Sequence, residues 1–246
     1  IMSGHSKWAT IKHKKGALDA KRGQMFTKLI KEISIAARMG GGDPEGNPRL
    51  RTAVLKARAA NMPKDNIERA IKKGTGELGN AIYEELTYEA YAPGGVAVLI
   101  EVLTDNKNRA AAEVRNIISK AGGSLATANA VMRLFSRKGV ISLDGEKYTE
   151  DKVMEVALEA GADDIVNEDG EIVVYTTPEN FEAVLNAINT AGMETDGAEV
   201  SMVPETYVDV DKDAGTKISK LIERLEENDD VQNVYHNANL PDDIEE

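Results

Sequence analysis

The spacing of apolar residues changes once, near Gly79, and that change requires a helical body first and sheet-containing bodies after it. Before it, Phe26, Leu29, Ile30, Ile33, Ala36 and Ala37 recur at the three-to-four-residue interval of one helix face. They predict a helix from about Leu18 to Met39, stopped at Gly40-Gly41-Gly42, where backbone freedom opposes helical order. Asn47 before Pro48 reads as a cap and first turn, because proline lacks an N–H that would be unpaired there anyway. Leu50, Ala53, Val54 and Ala57 then form one stripe, and a third helix runs from Pro63 to Lys72-Lys73-Gly74. Three single-stripe helices with short loops predict a small bundle.

Beyond Gly79 the period becomes two. Ile82–Tyr91 and Val96–Leu103 read as strands joined at Pro93-Gly94-Gly95, followed by a helix over Asn106–Ala121. Residues 139–202 then run strand, helix, strand, strand, helix, strand, the order of a ferredoxin-like split unit. The last segment supplies a strand at Glu205–Val210, a helix at Asp213–Glu227 and a strand at Val231–Tyr235. Three elements cannot close a core alone, so they are expected to complete the strands and helix after residue 80. The predicted class is α+β in three domains: a basic arm and three-helix bundle at 1–79, a discontinuous α/β domain at 80–132 plus 203–246, and an inserted ferredoxin-like α/β domain at 133–202.

Charge is distributed as unevenly as period. Residues 1–75 carry 17 Lys/Arg against 6 Asp/Glu, a net of +11, while the other 171 residues carry 13 against 36, a net of −23. The whole-chain value of −12 hides a basic front on an acidic body, a pattern suited to a polyanion partner. The plainer account is a helical domain with ordinary solvated cations on its outer faces. Residues 2–16 hold four Lys, two His and the only Trp without an apolar period, and read as an arm that is mobile until bound. The adjacent pair Lys14 and Lys15 has the strongest claim to phosphate, with Lys7, Lys12, Lys21, Arg22 and Lys28 beside it and only Asp19 opposing. Trp8, flanked by His5 and His13, suits stacking on an unpaired base, and equally suits pinning the arm to the bundle. Arg51, Arg58, Lys64, Lys72 and Lys73 are secondary candidates, since helix-flank solvation also explains them.

Several chemistries are excluded or disfavoured. The absence of cysteine removes disulfides, thiolate zinc sites and cysteine nucleophiles. Gly74-Thr75-Gly76-Glu77-Leu78-Gly79 has dinucleotide-loop spacing, but it ends a helix and precedes a strand, the reverse of what phosphate binding needs, and reads as an interdomain hinge. Asp209, Asp211 and Asp213 imitate half a calcium loop, yet Ala214 replaces the turn glycine and Lys220 the twelfth-position Glu. The pairs Asp163-Asp164 and Asp229-Asp230 read as solvated turn residues rather than metal ligands. No enzyme, metal or other cofactor is expected, and no membrane span. The basic start favours Lys over Arg, against a mitochondrial presequence, so a cytoplasmic protein is expected. A ligand-binding cleft between the two sheet domains and a pure scaffold remain as the alternative classes.

Long segments resemble a known family. GHSKWATIKHKK at 4–15, KRGQMFTKLIKEI at 21–33, NMPKDNIERAIKKGTG at 61–76, YEAYAPGGVAVLIE at 88–101 and LTDNKNRAAAEVR at 103–115 are similar to the YebC/PmpR family, and the likeness extends over essentially the whole chain. The departures lie mainly at 123–135, where Arg133 stands in place of an aromatic residue. The resemblance implies a three-domain, non-enzymatic protein with His5, Ser6, Lys7, Trp8, Lys12, His13, Lys14, Lys15, Lys21 and Arg22 as its functional residues. Members are labelled probable transcriptional regulators with DNA binding; mitochondrial relatives activate translation of a cytochrome oxidase subunit, and bacterial ones are linked to ribosomes stalled on proline-rich sequences. An arm of Lys and Trp lacks recognition-helix logic and suits irregular RNA, so ribosomal RNA is the favoured partner, DNA the alternative. Basic ribosomal proteins could face the acidic body.

Overall fold

The computed structural model describes residues 19–79 and 82–244. The predicted arm therefore lies outside the described residues. The N-terminal bundle consists of α1 (Asp19–Gly40), α2 (Pro48–Ala59) and α3 (Lys64–Gly74). Asn47 caps α2 as its sequence predicts: its side-chain oxygen accepts from the Leu50 amide at 3.1 Å, while its amide nitrogen donates to the carbonyls of Ala36 and Gly41, each at 2.8 Å. That one side chain ties the end of α1 to the start of α2. Ile33, Leu50 and Ala57 are fully buried between the helices. Gly74 makes the close approach of α3 possible, because a Cβ there would stand 2.2 Å from the Ser34 carbonyl of α1.

The second body is a four-stranded antiparallel sheet of β1 (Glu84–Ala92), β2 (Val96–Thr104), a two-residue β3 (Ser124–Leu125) and β9 (Val231–His236), in the order β3-β1-β2-β9. Two helices, α4 (Lys107–Lys120) and α7 (Lys212–Glu227), cover one face. Between them in sequence lie β4 (Phe135–Asp144), α5 (Glu150–Glu159), β5 (Asp164–Glu168), β6 (Glu171–Thr176), α6 (Phe181–Thr190) and β7 (Gly197–Pro204). These strands form their own antiparallel sheet, ordered β5-β6-β4-β7, the ferredoxin-like arrangement inserted in the first α/β body. Asp169 and Gly170 both take positive φ, 51° and 80°, to make the two-residue turn between β5 and β6.

The burial of β2 shows how the two sheets meet. It is apolar almost without alternation because both its faces are covered. Val98, Ile100 and Val102 face α4 and α7, whereas Ala97 and Leu99, with Tyr235 beside them on β9, face Val131, Phe135 and Met202 at the root of the insertion. The chain entering the insertion is held by Glu89. Its buried carboxylate accepts amides of Asn129 at 2.8 Å, Val131 at 3.0 Å and Met132 at 2.6 Å. Burial opposes its charge, but these three bonds outweigh it and keep the carboxyl below the usual range.

Two expectations are corrected. The strand expected over Glu205–Val210 shrinks to β8 (Val208–Asp209), paired in parallel with β10 (Ala238–Asn239) and not with the main sheet. Its amides are drawn two ways, Glu205 to the Leu134 carbonyl at 3.0 Å and Val208 to that of Asn237 at 2.7 Å, which prevents one continuous ladder. Asp229-Asp230 is not a solvated pair: Asp230 is 2% exposed. Its oxygens accept from Arg109 Nε at 3.0 Å and Nη2 at 2.9 Å, and Lys31 Nζ lies 3.7 Å away. Asp211 of the calcium-like run instead caps α7, accepting from the Ala214 amide at 2.8 Å. Among the described residues no helix is long and apolar enough to cross a membrane.

Two titrating carboxyls give opposite pH signatures. Burial opposes the charge of Asp230, but Arg109, Thr104 and Lys31 outweigh it and hold the carboxyl below 3.8. Its contribution to stability is present above that pH and is lost as pH falls through the depressed value. Asp230→Ala should therefore cost about 2 kcal/mol in urea unfolding at pH 7, less than the ~3–5 kcal/mol of a fully buried pair because Arg109 is partly solvated, with the deficit narrowing below pH 3.8. Glu171 at the start of β6 is pushed up from 4.5 to about 7 by burial and by the nearby charge of Asp196. Here stability is full below 4.5 and declines as pH rises to about 7. Glu171→Gln should match the parent at pH 4.5 and exceed it at pH 8, by about 1 kcal/mol after allowing for solvent screening. Equal denaturant midpoints at pH 8 would contradict this assignment.

Candidate nucleic-acid interface

The structure sorts the basic residues of the bundle by what their charge meets. His5, Ser6, Lys7, Trp8, Lys12, His13, Lys14 and Lys15 lie outside the described residues, and Lys21 falls in the first turn of α1. Arg22, one residue further, is exposed and sits over the Phe26 ring at 5.5 Å from its centroid.

A second group is turned onto the acidic body. The last carbonyls of α7 have no helical N–H to accept from and form the negative end of its dipole. Gln24 Nε2 donates to the Glu227 carbonyl and Lys28 Nζ to that of Glu226, while Lys31 Nζ reaches the Asp229 carbonyl at 2.6 Å and Asp230 behind it. In return Gln232 donates to the Lys28 carbonyl at 2.6 Å. On α2, Arg49 lies between Glu32 and Glu85, joining two helices to β1. Arg51 pairs with Glu182 of α6 at 2.7 Å and donates to the Pro44 carbonyl at 2.9 Å, tying the bundle to the inserted body. Lys28 and Arg51, both candidates for phosphate, thus hold internal carbonyl and carboxylate partners. One signal for this was present in the sequence: Gln24, Lys28 and Lys31 fall at i, i+4 and i+7, a single polar row along α1.

The third group stays at the surface. Arg58 is exposed near the end of α2. Lys64 is 85% exposed and only 3.7 Å from Glu68, a pairing that stabilises little. Lys72 is exposed in the last turn of α3, where the helix carbonyls favour cations, and Lys73 beside it lies 5.4 Å from the centre of the Tyr83 ring. Tyr83 was not singled out from sequence. It receives Arg38 Nη1 on its carbonyl at 3.2 Å and Lys31 over its ring at 5.8 Å, so the connection into β1 is fixed by bundle cations.

The three bodies enclose a cleft of about 1940 Å³. Ten carboxylate residues line it against six cationic ones. Glu179 and Glu182 enter from the insertion, Glu223 and Glu227 from α7, and Arg22 and Lys56 from the bundle. The excess of acid disfavours a phosphodiester here, although two of the candidates, Arg22 and Lys28, are among the lining residues.

Comparison with known proteins gives the same extent of likeness in sequence and in structure. Residues 6–77 match the family model described as "TACO1/YebC protein N-terminal domain", and residues 83–238 match "TACO1/YebC second and third domain". A "Probable transcriptional regulatory protein" of Treponema denticola is 66% identical over 244 residues, 99% of either chain. A protein of the same name from Treponema pallidum is 65% identical over 243 residues, also 99% of each. The crystal structure of a conserved hypothetical protein from Aquifex aeolicus superposes with a TM-score of 0.85 at 46% identity, covering 97% of this chain and 98% of that one. The bundle and both sheet bodies are accounted for along nearly their whole length, and the chain belongs to the TACO1/YebC family.

Proposed function

We propose that the protein is a non-enzymatic, nucleic-acid-binding regulator of gene expression that grips ribosomal RNA and assists translation of difficult, proline-rich sequences. The observation that carries this reading is the sorting of cations. Lys28, Lys31, Arg49 and Arg51 hold the bundle to the acidic body, while Arg58, Lys64 and Lys72 remain exposed. The run His5, Ser6, Lys7, Trp8, Lys12, His13, Lys14, Lys15, Lys21 and Arg22 adds the densest positive charge in the chain. On this reading the segment 1–79 makes the grip. The 80–132 plus 203–246 domain and its 133–202 insertion carry it and present acid to basic ribosomal proteins.

Docking geometry supports RNA over promoter DNA. A major-groove reader needs a helix free to lie in the groove. One edge of α1 is taken up by the α7 terminus, and α2 is bound at Arg49 and Arg51. The remaining helix, α3, has only 11 residues and interleaves Asp65 and Glu68 with its cations. Lysines around a tryptophan suit phosphates and unpaired bases without a sequence-reading helix. The name of the Treponema relatives supports the second reading, a DNA-binding transcriptional regulator at promoters; a footprint on one promoter surviving excess competitor duplex would favour it.

Two measurements test the grip. Lys14→Glu with Lys15→Glu should lower affinity for an RNA hairpin with a single-stranded loop by about 100-fold or more and abolish ribosome co-sedimentation at low salt, with the circular dichroism unchanged. Unchanged co-sedimentation would refute it. With about six to eight phosphate contacts, parent affinity should fall on the order of 10³–10⁵-fold between 50 and 200 mM salt, and the double variant should show a shallower slope. A flat salt profile in the parent would point to docking on protein instead.

A further inference from the structure

The cleft between the three bodies is larger than the roughly 300–1,000 Å³ of an ordinary ligand pocket, and its charge is unbalanced. Of its cations, Lys28 donates to a helix-end carbonyl, Arg49 is held by two glutamates and Arg137 pairs with Glu101. Glu179, Glu223 and Glu227 are exposed, and among the described residues no side-chain hydrogen bond or ion pair neutralises them. Apolar surface lies beside this acid: Met25 of α1 is 45% exposed and lines the same cleft with Leu29. Such a surface fits a cationic polypeptide carrying an occasional large apolar side chain.

The chain contains one, attached at the rim. Arg22, Gln24 and Met25 line the cleft, so α1 begins there, and the residues before Asp19 start from its edge. Residues 2–16 contain four Lys, no Asp or Glu, Ile11 and the sole Trp. At about 3.3–3.6 Å per residue, Lys15 can stand up to about 14 Å and Lys12 up to about 25 Å from the start of α1. A tether this short holds the segment at roughly millimolar effective concentration, so weak ionic contacts suffice for occupancy.

We infer that the acidic cleft is the docking site for the chain's own residues 2–16 when no polyanion is bound, with the lysines facing Glu179, Glu223 and Glu227. The inference rests on the reading of that segment as the nucleic-acid grip and adds a regulation to it. Cleft and phosphate backbone compete for the same lysines, so the body lowers affinity for any polyanion too weak to displace it.

Trp8 is the only tryptophan, and its fluorescence reports the segment in the full unlabelled chain. Without nucleic acid at low salt, acrylamide should quench Trp8 at least about twofold less efficiently than at 1 M salt, where the Debye length is about 3 Å. The triple variant Glu179→Gln, Glu223→Gln, Glu227→Gln should show the open value already at low salt and bind the RNA hairpin several-fold more tightly. Trp8 equally open in every condition overturns the inference. Shielding indifferent to salt and to the triple variant also overturns it, since the residue would then be pinned by apolar contact alone. Shielding that appears only at high protein concentration assigns the cleft to a second copy's arm. A Lys-rich 15-residue peptide that binds the cleft while Trp8 stays open assigns it to a partner's basic segment. The Lys14/Lys15 variant decides the grip separately, so either reading can fail alone.

Discussion

The orientation of the bundle on the body depends on a negative helix end meeting a positive helix edge. The final carbonyls of α7 and the turn after it present orphan acceptors, and α1 brings Gln24, Lys28 and Lys31 to them along one edge. Behind this contact Asp230 is buried, its charge retained because Arg109 and Lys31 approach from opposite bodies. A buried carboxylate with one partner removed is costly, which makes the junction specific as well as stable. The geometry of the cleft follows from it, since α1 and α7 form two of its walls.

A different economy joins the two sheets. The face of β2 opposite α4 and α7, with Tyr235 of the neighbouring β9, is closed by Phe135 and Met202, so the insertion completes the core of the body that contains it. Glu89 organises the entry by accepting the loop amides of Asn129, Val131 and Met132, a substitute for secondary structure in a segment with almost none. Arg133 lies exposed in this same turn, and its side chain takes no part in these backbone bonds.

The periodic parts of this molecule were legible in its sequence. The three helices, the Asn47 cap and the split order of the insertion follow from local spacing, because each element is decided by neighbours within a few residues. The failures share one cause, partners far away in the chain. The internal partner of Lys28, a phosphate candidate from sequence alone, is likewise remote: the carbonyl of Glu226, 198 residues on. Asp229-Asp230 reads as a solvated turn until Arg109 and Lys31 bury it. The strand around Val208 is shorter than its local pattern implies, because its amides are divided between Leu134 and Asn237. Of the candidate interface, the densest run precedes Asp19 and the described cations divide between anchoring and exposed positions, a division that composition alone does not express.

Net charge is a poor guide to what such a molecule repels. At physiological ionic strength the Debye length is about 8 Å, so acid farther than that from an exposed cation does little to cancel its field. What matters is the acid within reach of each cation. Lys28, Arg49 and Arg51 have carbonyl or carboxylate partners at bonding distance, and their fields are cancelled locally. Among the described residues Arg58 and Lys72 make no such bond, and both stay exposed. The basic front is therefore smaller than a net of +11 suggests, and on the proposed reading most of the attraction for a polyanion falls to the residues before α1. Acid at the rim of the cleft, next to where α1 begins, is the part of the body placed to modulate that attraction.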